Sequence, residues 1–216
     1  RIVDEAGLLA CAMYVDLNPV RAAIAESPEE AEHTSAYDRS KARRGAKIPS
    51  AAFDLKPVST EEAGKKIRDT PVDQLRKDRT KKKRNPTGRK IKRDGWLSPL
   101  TLDARTLASD PEAHADGCRS SDKGFLHVSW EDYWELLKWT AKQSVRGAVN
   151  VPNRIAKRLT ELGIEATMWR DLVWDWQRYF GKSVCIGRPD SIKQHAEDTG
   201  QHHHRGQASV KACFTC

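Results

Sequence analysis

Ser129-Trp130-Glu131-Asp132-Tyr133-Trp134-Glu135-Leu136-Leu137-Lys138-Trp139-Thr140-Ala141 is the stretch whose reading decides the fold. Ser129 followed three residues later by Asp132 has the form of a capping box, which closes orphan N–H groups at a helix start. Behind it Trp130, Tyr133, Trp134, Leu137 and Ala141 recur at helical spacing, so one face of the helix is apolar. A second helix is predicted from Pro152, with Ile155, Leu159 and Leu162 on its apolar side and Gly163 as its stop. A third follows Thr167, presents Trp169, Leu172, Val173, Trp176 and Phe180, and stops at Gly181. Short connections between three amphipathic helices predict a small helical bundle over residues 96–188. Six of the seven tryptophans fall within these helices, and tryptophan at helical spacing reads first as packing rather than base stacking.

Order fades on both sides of the bundle. Residues 189–216 are polar, rich in histidine and without periodicity, which predicts a disordered tail. From residue 41 to 95 no apolar period persists, and Asn85-Pro86-Thr87-Gly88 is a turn signal among charges. That segment reads as a flexible basic linker. The chain's formal charge is +8, but Lys65–Arg93 alone holds 14 basic and 3 acidic residues, leaving the remainder slightly acidic. A positive charge so concentrated attracts polyanions by counterion release, and nucleic acid is the default partner. Lys81, Lys82, Lys83, Arg84, Arg89, Lys90, Lys92 and Arg93 are the candidate contacts.

Residues 1–40 form the remaining unit. Leu8, Leu9, Ala12 and Met13 predict a helix over residues 5–18. Asn18 is read as the cap of a further turn with Pro19 at its first position, running to about Ala25. Ser27-Pro28-Glu29-Glu30 opens another turn, and the unit is expected to end near Thr34-Ser35-Ala36-Tyr37. Mean hydropathy is −0.72 and no run of about 18 apolar residues occurs, so no membrane span is expected. Five scattered cysteines and no secretory leader predict a reduced, cytoplasmic chain. Cys213-x-x-Cys216, with Cys185 and His195 or His202, has donor types suited to zinc, yet no second paired motif accompanies it. Scattered free thiols are the simpler account.

The chemistry-bearing string is Tyr14-Val15-Asp16-Leu17-Asn18-Pro19-Val20-Arg21-Ala22. On a helix Tyr14 and Asn18 share a face. A phenol can attack a phosphodiester and hold the DNA end covalently. An amide oxygen one turn away is a hard donor suited to Mg²⁺ or Mn²⁺, and Arg21 could meet a backbone phosphate. From spacing alone, a half-buried packing tyrosine and a capping asparagine explain the same residues.

This string, followed by a Pro-Glu-Glu segment and the Thr34-Ser35 pair, resembles the end of the transposase domain of the IS200-like and REP-associated tyrosine transposases. Gly95-Trp96-Leu97-Ser98-Pro99-Leu100 and the block Tyr133–Thr140 more loosely resemble the C-terminal extension of a subgroup. The resemblance implies that Tyr14 is the nucleophile forming a 5′-phosphotyrosine link and that Asn18 is a metal ligand. It further implies single-stranded or hairpin DNA as partner, a divalent cation in the complete enzyme, a possible homodimer, and a bacterial, nucleoid-associated setting. The fold class is then mainly α: the helical remnant of an α+β transposase domain, a basic flexible linker and a small C-terminal helical bundle.

The family also holds its metal through a His-hydrophobe-His pair on a strand upstream of the tyrosine helix. No such pair precedes Tyr14 here, and His202-His203-His204 lies in a polar tail with no strand pattern. The expectation is therefore a fragment, beginning inside a helix, that binds no metal and does not cleave DNA by itself. The apolar face of its first helix is expected to be left open by the missing sheet. A non-catalytic nucleic-acid-binding module and an inactive gene remnant are the other readings.

Overall fold

The computed structural model describes residues 1–49, 90–102, 119, 121–143, 151–181, 183–201 and 210–214. The protein is mainly helical. Its helices are α1 (Glu5–Asp16), α2 (Asn18–Arg21), α3 (Ser35–Arg43), α4 (Trp130–Lys142), α5 (Asn153–Glu161), α6 (Trp169–Trp174), α7 (Trp176–Phe180) and α8 (Pro189–Asp198). Two short strands, β1 (Lys47–Pro49) and β2 (Lys90–Lys92), pair antiparallel with Lys47 opposite Lys92 and Pro49 opposite Lys90.

The Asp4 carboxylate starts α1. One oxygen accepts from Gly7 N at 2.8 Å, the other from Arg188 N at 2.7 Å. A single side chain thus caps α1 and ties it to the segment that leads into α8. Val3 N donates to Ile186 O at 3.0 Å and Ile186 N to Arg1 O at 2.7 Å, making a short parallel bridge. Gly7 lies against that bridge: a Cβ there would sit 2.6 Å from Ile186 O.

The apolar stripe of α1 is not left open. Ala6, Leu9, Ala10, Met13 and Leu17 are buried in one core with residues from α4 to α7. Burying a leucine or methionine side chain contributes about 1.5–3 kcal/mol, and helices within the chain supply the cover. α4 opens as its sequence predicts: Ser129 Oγ accepts from Asp132 N at 3.1 Å and donates to Asp132 Oδ2 at 2.8 Å. On its buried side Thr140 Oγ1 accepts from Trp169 Nε1 at 2.9 Å, and the Thr140 carbonyl accepts from Trp174 Nε1 at 3.0 Å. Both indoles therefore keep their hydrogen bonds, Trp169 inside the core and Trp174 half-buried at its edge. α5 packs on α4 through Ile155 and Leu159, with Arg154 Nη2 2.6 Å from Asp132. It ends before Gly163, whose φ of +70° is the left-handed conformation that suits a glycine.

Four sequence expectations need correcting. The helix predicted after Thr167 is divided, because Asp175 (ψ 36°) interrupts it between α6 and α7. Asn18 is not a cap; it is the first residue of α2, behind Leu17, and makes no side-chain capping bond. Thr34-Ser35 begins a helix rather than ending a unit: Thr34 Oγ1 accepts from Tyr37 N at 3.2 Å and starts α3. The stretch 189–216 is not a featureless tail. Pro189 opens α8, whose buried residues Ile192 and Ala196 are one turn apart. Val210, Cys213 and Phe214 then return to the core, where Phe214 bridges Ile164 and Glu165 N donates to Cys213 O.

The residues expected to be separate units, 1–40 and 96–188, contribute to the same hydrophobic core. Between them the β1–β2 ladder brings residues 49 and 90 side by side. Among the described residues, no helix is long and apolar enough to cross a membrane.

Candidate functional site

Tyr14 lies in the last turn of α1, and Asn18 is one turn further on, in α2. Leu17 between them is right-handed helical (φ −88°, ψ −6°). Its N–H bonds Met13 O and its carbonyl accepts from Arg21 N, both at 2.9 Å. Pro19 has no N–H to give to the preceding turn, which is the physical reason for the seam between α1 and α2. The helical path expected from Tyr14 to Asn18 runs through this seam and on to Arg21.

The Tyr14 ring is half-buried. It stacks on Trp176 with centroids 4.5 Å apart and planes inclined at 25°, and the Arg21 guanidinium carbon lies 4.4 Å from its centroid. Arg21 Nη2 also donates to Trp174 O at 2.9 Å. The cation that the sequence assigns to a DNA phosphate is thus also a brace between α2 and α6, with Tyr14 held between Arg21 and Trp176. Among the described residues the Tyr14 hydroxyl has no hydrogen-bond partner.

Asn18 is exposed and lines a groove of about 470 Å³ with Leu8, Val15, Glu32 and His33. Tyr14 does not line that groove. The two side chains are neighbours along the helical path but border different surroundings: the phenol ring an aromatic–cationic stack, the amide an open groove.

Asp16, between them, was not singled out by sequence reasoning, and it is one of the most deeply buried polar groups, 1% exposed. Tyr133 Oη donates to it at 2.6 Å, Ser35 Oγ at 3.0 Å and Ala36 N at 3.3 Å. Desolvation pushes its carboxyl pKa up, and these three donors together with the Arg39 charge pull it back. The Tyr133 hydroxyl is driven well above its ordinary value by its own burial and by the adjacent carboxylate. A sequence signal did exist: an acidic residue at position 16 falls on the same helix side as Leu9 and Met13, where burial demands partners.

Of the basic residues expected to contact DNA, Lys81, Lys82, Lys83, Arg84 and Arg89 lie outside the described residues. Lys90 and Lys92 are in β2, with Lys92 exposed. Arg93 is engaged within the fold: its Nε is 2.6 Å from Asp38, and its guanidinium lies 5.0 Å from the Tyr37 ring centroid. The Asp38 bond raises its pKa further. Asp38 also accepts from Trp96 Nε1 at 3.1 Å, and Arg39 Nη2 donates to Ser98 O at 2.7 Å. α3 therefore anchors the chain as it leaves the basic segment.

The Asn18 amide offers one hard oxygen donor to this groove. Mg²⁺ takes six oxygen ligands, several of them water, and Asp16 already accepts from three donors within the fold. Among the described residues no group of three or more His, Cys, Asp or Glu side chains could hold a metal. Cys213 is buried against Tyr179, and burial pushes its thiol up to about 11; Cys216 and His202, two of the partners considered for it, lie outside the described residues. Compared with known proteins, the chain matches no family model, no curated protein and no solved structure.

Proposed function

We propose that this chain acts in single-strand DNA transposition as the tyrosine-bearing part of an IS200-like or REP-associated transposase. One observation carries the reading. The string Tyr14–Ala22 forms successive helical turns in which a partly exposed phenol lies under the guanidinium of Arg21. In this reaction the Tyr14 oxygen attacks a backbone phosphorus, an Oη–P bond forms and the P–O3′ bond breaks. The 3′ oxygen leaves with a proton, and the 5′-phosphate stays on Tyr14. Arg21, already beside the ring, is placed to offset charge on the approaching phosphate.

A covalent-adduct assay tests this. The 216-residue chain, incubated with a single-stranded hairpin end and Mg²⁺, is expected to give no SDS-resistant adduct. Joined to a segment supplying the His-hydrophobe-His pair, it is expected to form one that Tyr14→Phe abolishes while DNA binding is retained. Metal-dependent nicking by the 216 residues alone, or an adduct that survives Tyr14→Phe, would refute the assignment.

A second reading, a non-catalytic nucleic-acid-binding module, is favoured by the β1–β2 ladder. The ladder puts Lys47 opposite Lys92 and Pro49 opposite Lys90, bringing basic residues together at the edge of the fold. Replacing Lys81, Lys82, Lys83 and Arg84 with Ala should then flatten the salt dependence of binding, by a slope of about one per lost phosphate contact.

A further inference from the structure

A cavity of about 230 Å³ lies between α3, the segment 94–101 and the start of α4, away from Tyr14 and Asn18. Arg39, Arg43, Asp94, Thr101 and Trp130 line it. Arg39 is 7% exposed, yet among the described residues no carboxylate lies within ion-pairing distance of it. Its Nη2 donates to the Ser98 carbonyl, and its Nε–H is enclosed without an acceptor. Asp94 and Asp16 act on it only at longer range, and Arg119 adds to the positive field. A buried guanidinium has five donors and a charge that is costly to leave uncompensated. At the rim Arg43 stands over Trp130, 5.7 Å from its ring centroid, and shares an exposed ion pair with Glu131 at 2.8 Å. The lining therefore has two guanidiniums against one carboxylate, with an indole for a wall.

We propose that this cavity is a phosphoryl-binding site in which Arg39 supplies the buried positive charge and Arg43 closes over the ligand from the rim. Guanidinium is the side chain best matched to phosphate oxygens. The cavity volume suits a phosphate with part of its ester group. Asp94 moderates the site, since its carboxylate opposes a bound dianion. The inference does not depend on the role of Tyr14, whose loss would leave this cavity unchanged.

Binding is followed through the Trp130 indole N–H signal in NMR spectra at low salt, with inorganic phosphate, thymidine 5′-monophosphate and a single-stranded oligonucleotide as separate probes. The Trp130 readout distinguishes this site from phosphate binding along the basic segment. Inorganic phosphate is expected to shift the signal saturably. Asp94→Asn should tighten that binding about threefold and Arg43→Gln should weaken it about tenfold, as expected for single charges acting across a partly solvated cavity. A variant that merely disturbed packing would not tighten binding. Arg39→Lys keeps the charge and loses the planar fork, and is expected to weaken binding. Should that variant fail to fold, Asp94→Asn and Arg43→Gln still decide the matter. If the oligonucleotide displaces phosphate at Trp130 the ligand is a nucleic-acid strand; if only the monophosphate does, it is a small phosphate ester. The proposal is overturned if phosphate up to about 20 mM leaves the Trp130 signal unmoved in both wild type and Asp94→Asn, or if the affinity is the same in all variants.

Discussion

Replacing Tyr133 with Phe removes one hydroxyl from the centre of the fold and leaves its ring in place. That hydroxyl donates to Asp16 at 2.6 Å, and both groups are shut away from water. Hydrogen bonds to a charged group contribute about 1.5–3 kcal/mol, those between neutral groups about 0.5–1.5 kcal/mol. Ser35 Oγ and Ala36 N remain on Asp16, so we expect a loss of about 2 kcal/mol at pH 7, where more of Asp16 carries its charge than at acid pH. The pH dependence follows from the direction of the Asp16 shift. Its pKa in the folded protein is raised, so the fold binds this proton more tightly than the unfolded chain does. Its contribution is therefore most favourable at acid pH and is lost as pH rises through the folded pKa. Tyr133 is one of the groups that lowers that pKa, so Tyr133→Phe raises it further and increases the cost of the charge. At pH 3.8, the ordinary aspartate value, a raised pKa leaves Asp16 more than half protonated, and the loss should shrink to about 1 kcal/mol. Urea unfolding at the two pH values, with the slope m held in common, measures this. A destabilisation equal at both, or below about 0.5 kcal/mol at pH 7, would show that Asp16 does not rely on Tyr133 as a charged acceptor.

Three further perturbations probe other joints. Gly7→Ala should destabilise by about 2 kcal/mol in thermal or urea melts. Helix propensity alone favours alanine by about 1 kcal/mol, but here the new methyl would sit 2.6 Å from the Ile186 carbonyl oxygen, so the usual sign reverses. Phe214→Ala should cost about 3 kcal/mol, since the ring is 5% exposed and closes the bridge to Ile164; unchanged stability would mean the chain end is not docked. The Cys213 thiol has a folded value of about 11 against an ordinary 9.0. Its stabilising effect is thus complete below about pH 9 and lost as pH rises towards 11. The wild type should lose about 1–2 kcal/mol more than Cys213→Ala between pH 8.5 and 11, and thiol labelling at pH 8 should require unfolding.

The parts of this fold legible in the sequence are those where burial and hydrophobicity coincide. α4 and α5 combine strong apolar stripes with a Ser129 cap and a Gly163 stop, and both form as their residues predict. α3 escaped because its buried side includes Asp38, Arg39 and Ser40, which become core residues only once Arg93, Trp96 and the Ser98 carbonyl come to meet them. α8 has just Ile192 and Ala196 to bury, too few for a periodicity, yet enough once the Asp4 carboxylate caps α1 and receives Arg188 N together. The candidate site divides in the same way. The spacing of Tyr14 and Asn18 is a local property and could be read. The stack on Trp176 and the Tyr133 bond to Asp16 depend on partners more than 100 residues away, and although the side of α1 on which Asp16 falls hints at its burial, no local pattern names those partners.

Those distant partners bear directly on whether Tyr14 could act on DNA. Asp4 holds one end of α1 and Asp16 the other, so the helix is not free to turn, and a reactive phenol must reach a strand by moving its own ring. The ring would then give up its stack on Trp176, worth about 0.5–1.5 kcal/mol, and its contact with Arg21, worth about 0.5–1 kcal/mol at a partly exposed position. Together these amount to about 1–2.5 kcal/mol, a factor of roughly 5 to 70 in population. Enzymes lower reaction barriers by about 8–23 kcal/mol, so the packing around Tyr14 is a modest toll beside the chemistry proposed for it. Arg21 need not be lost in that motion: tied to the Trp174 carbonyl, it would remain beside the position the ring had left and could meet the phosphate bound to the phenol.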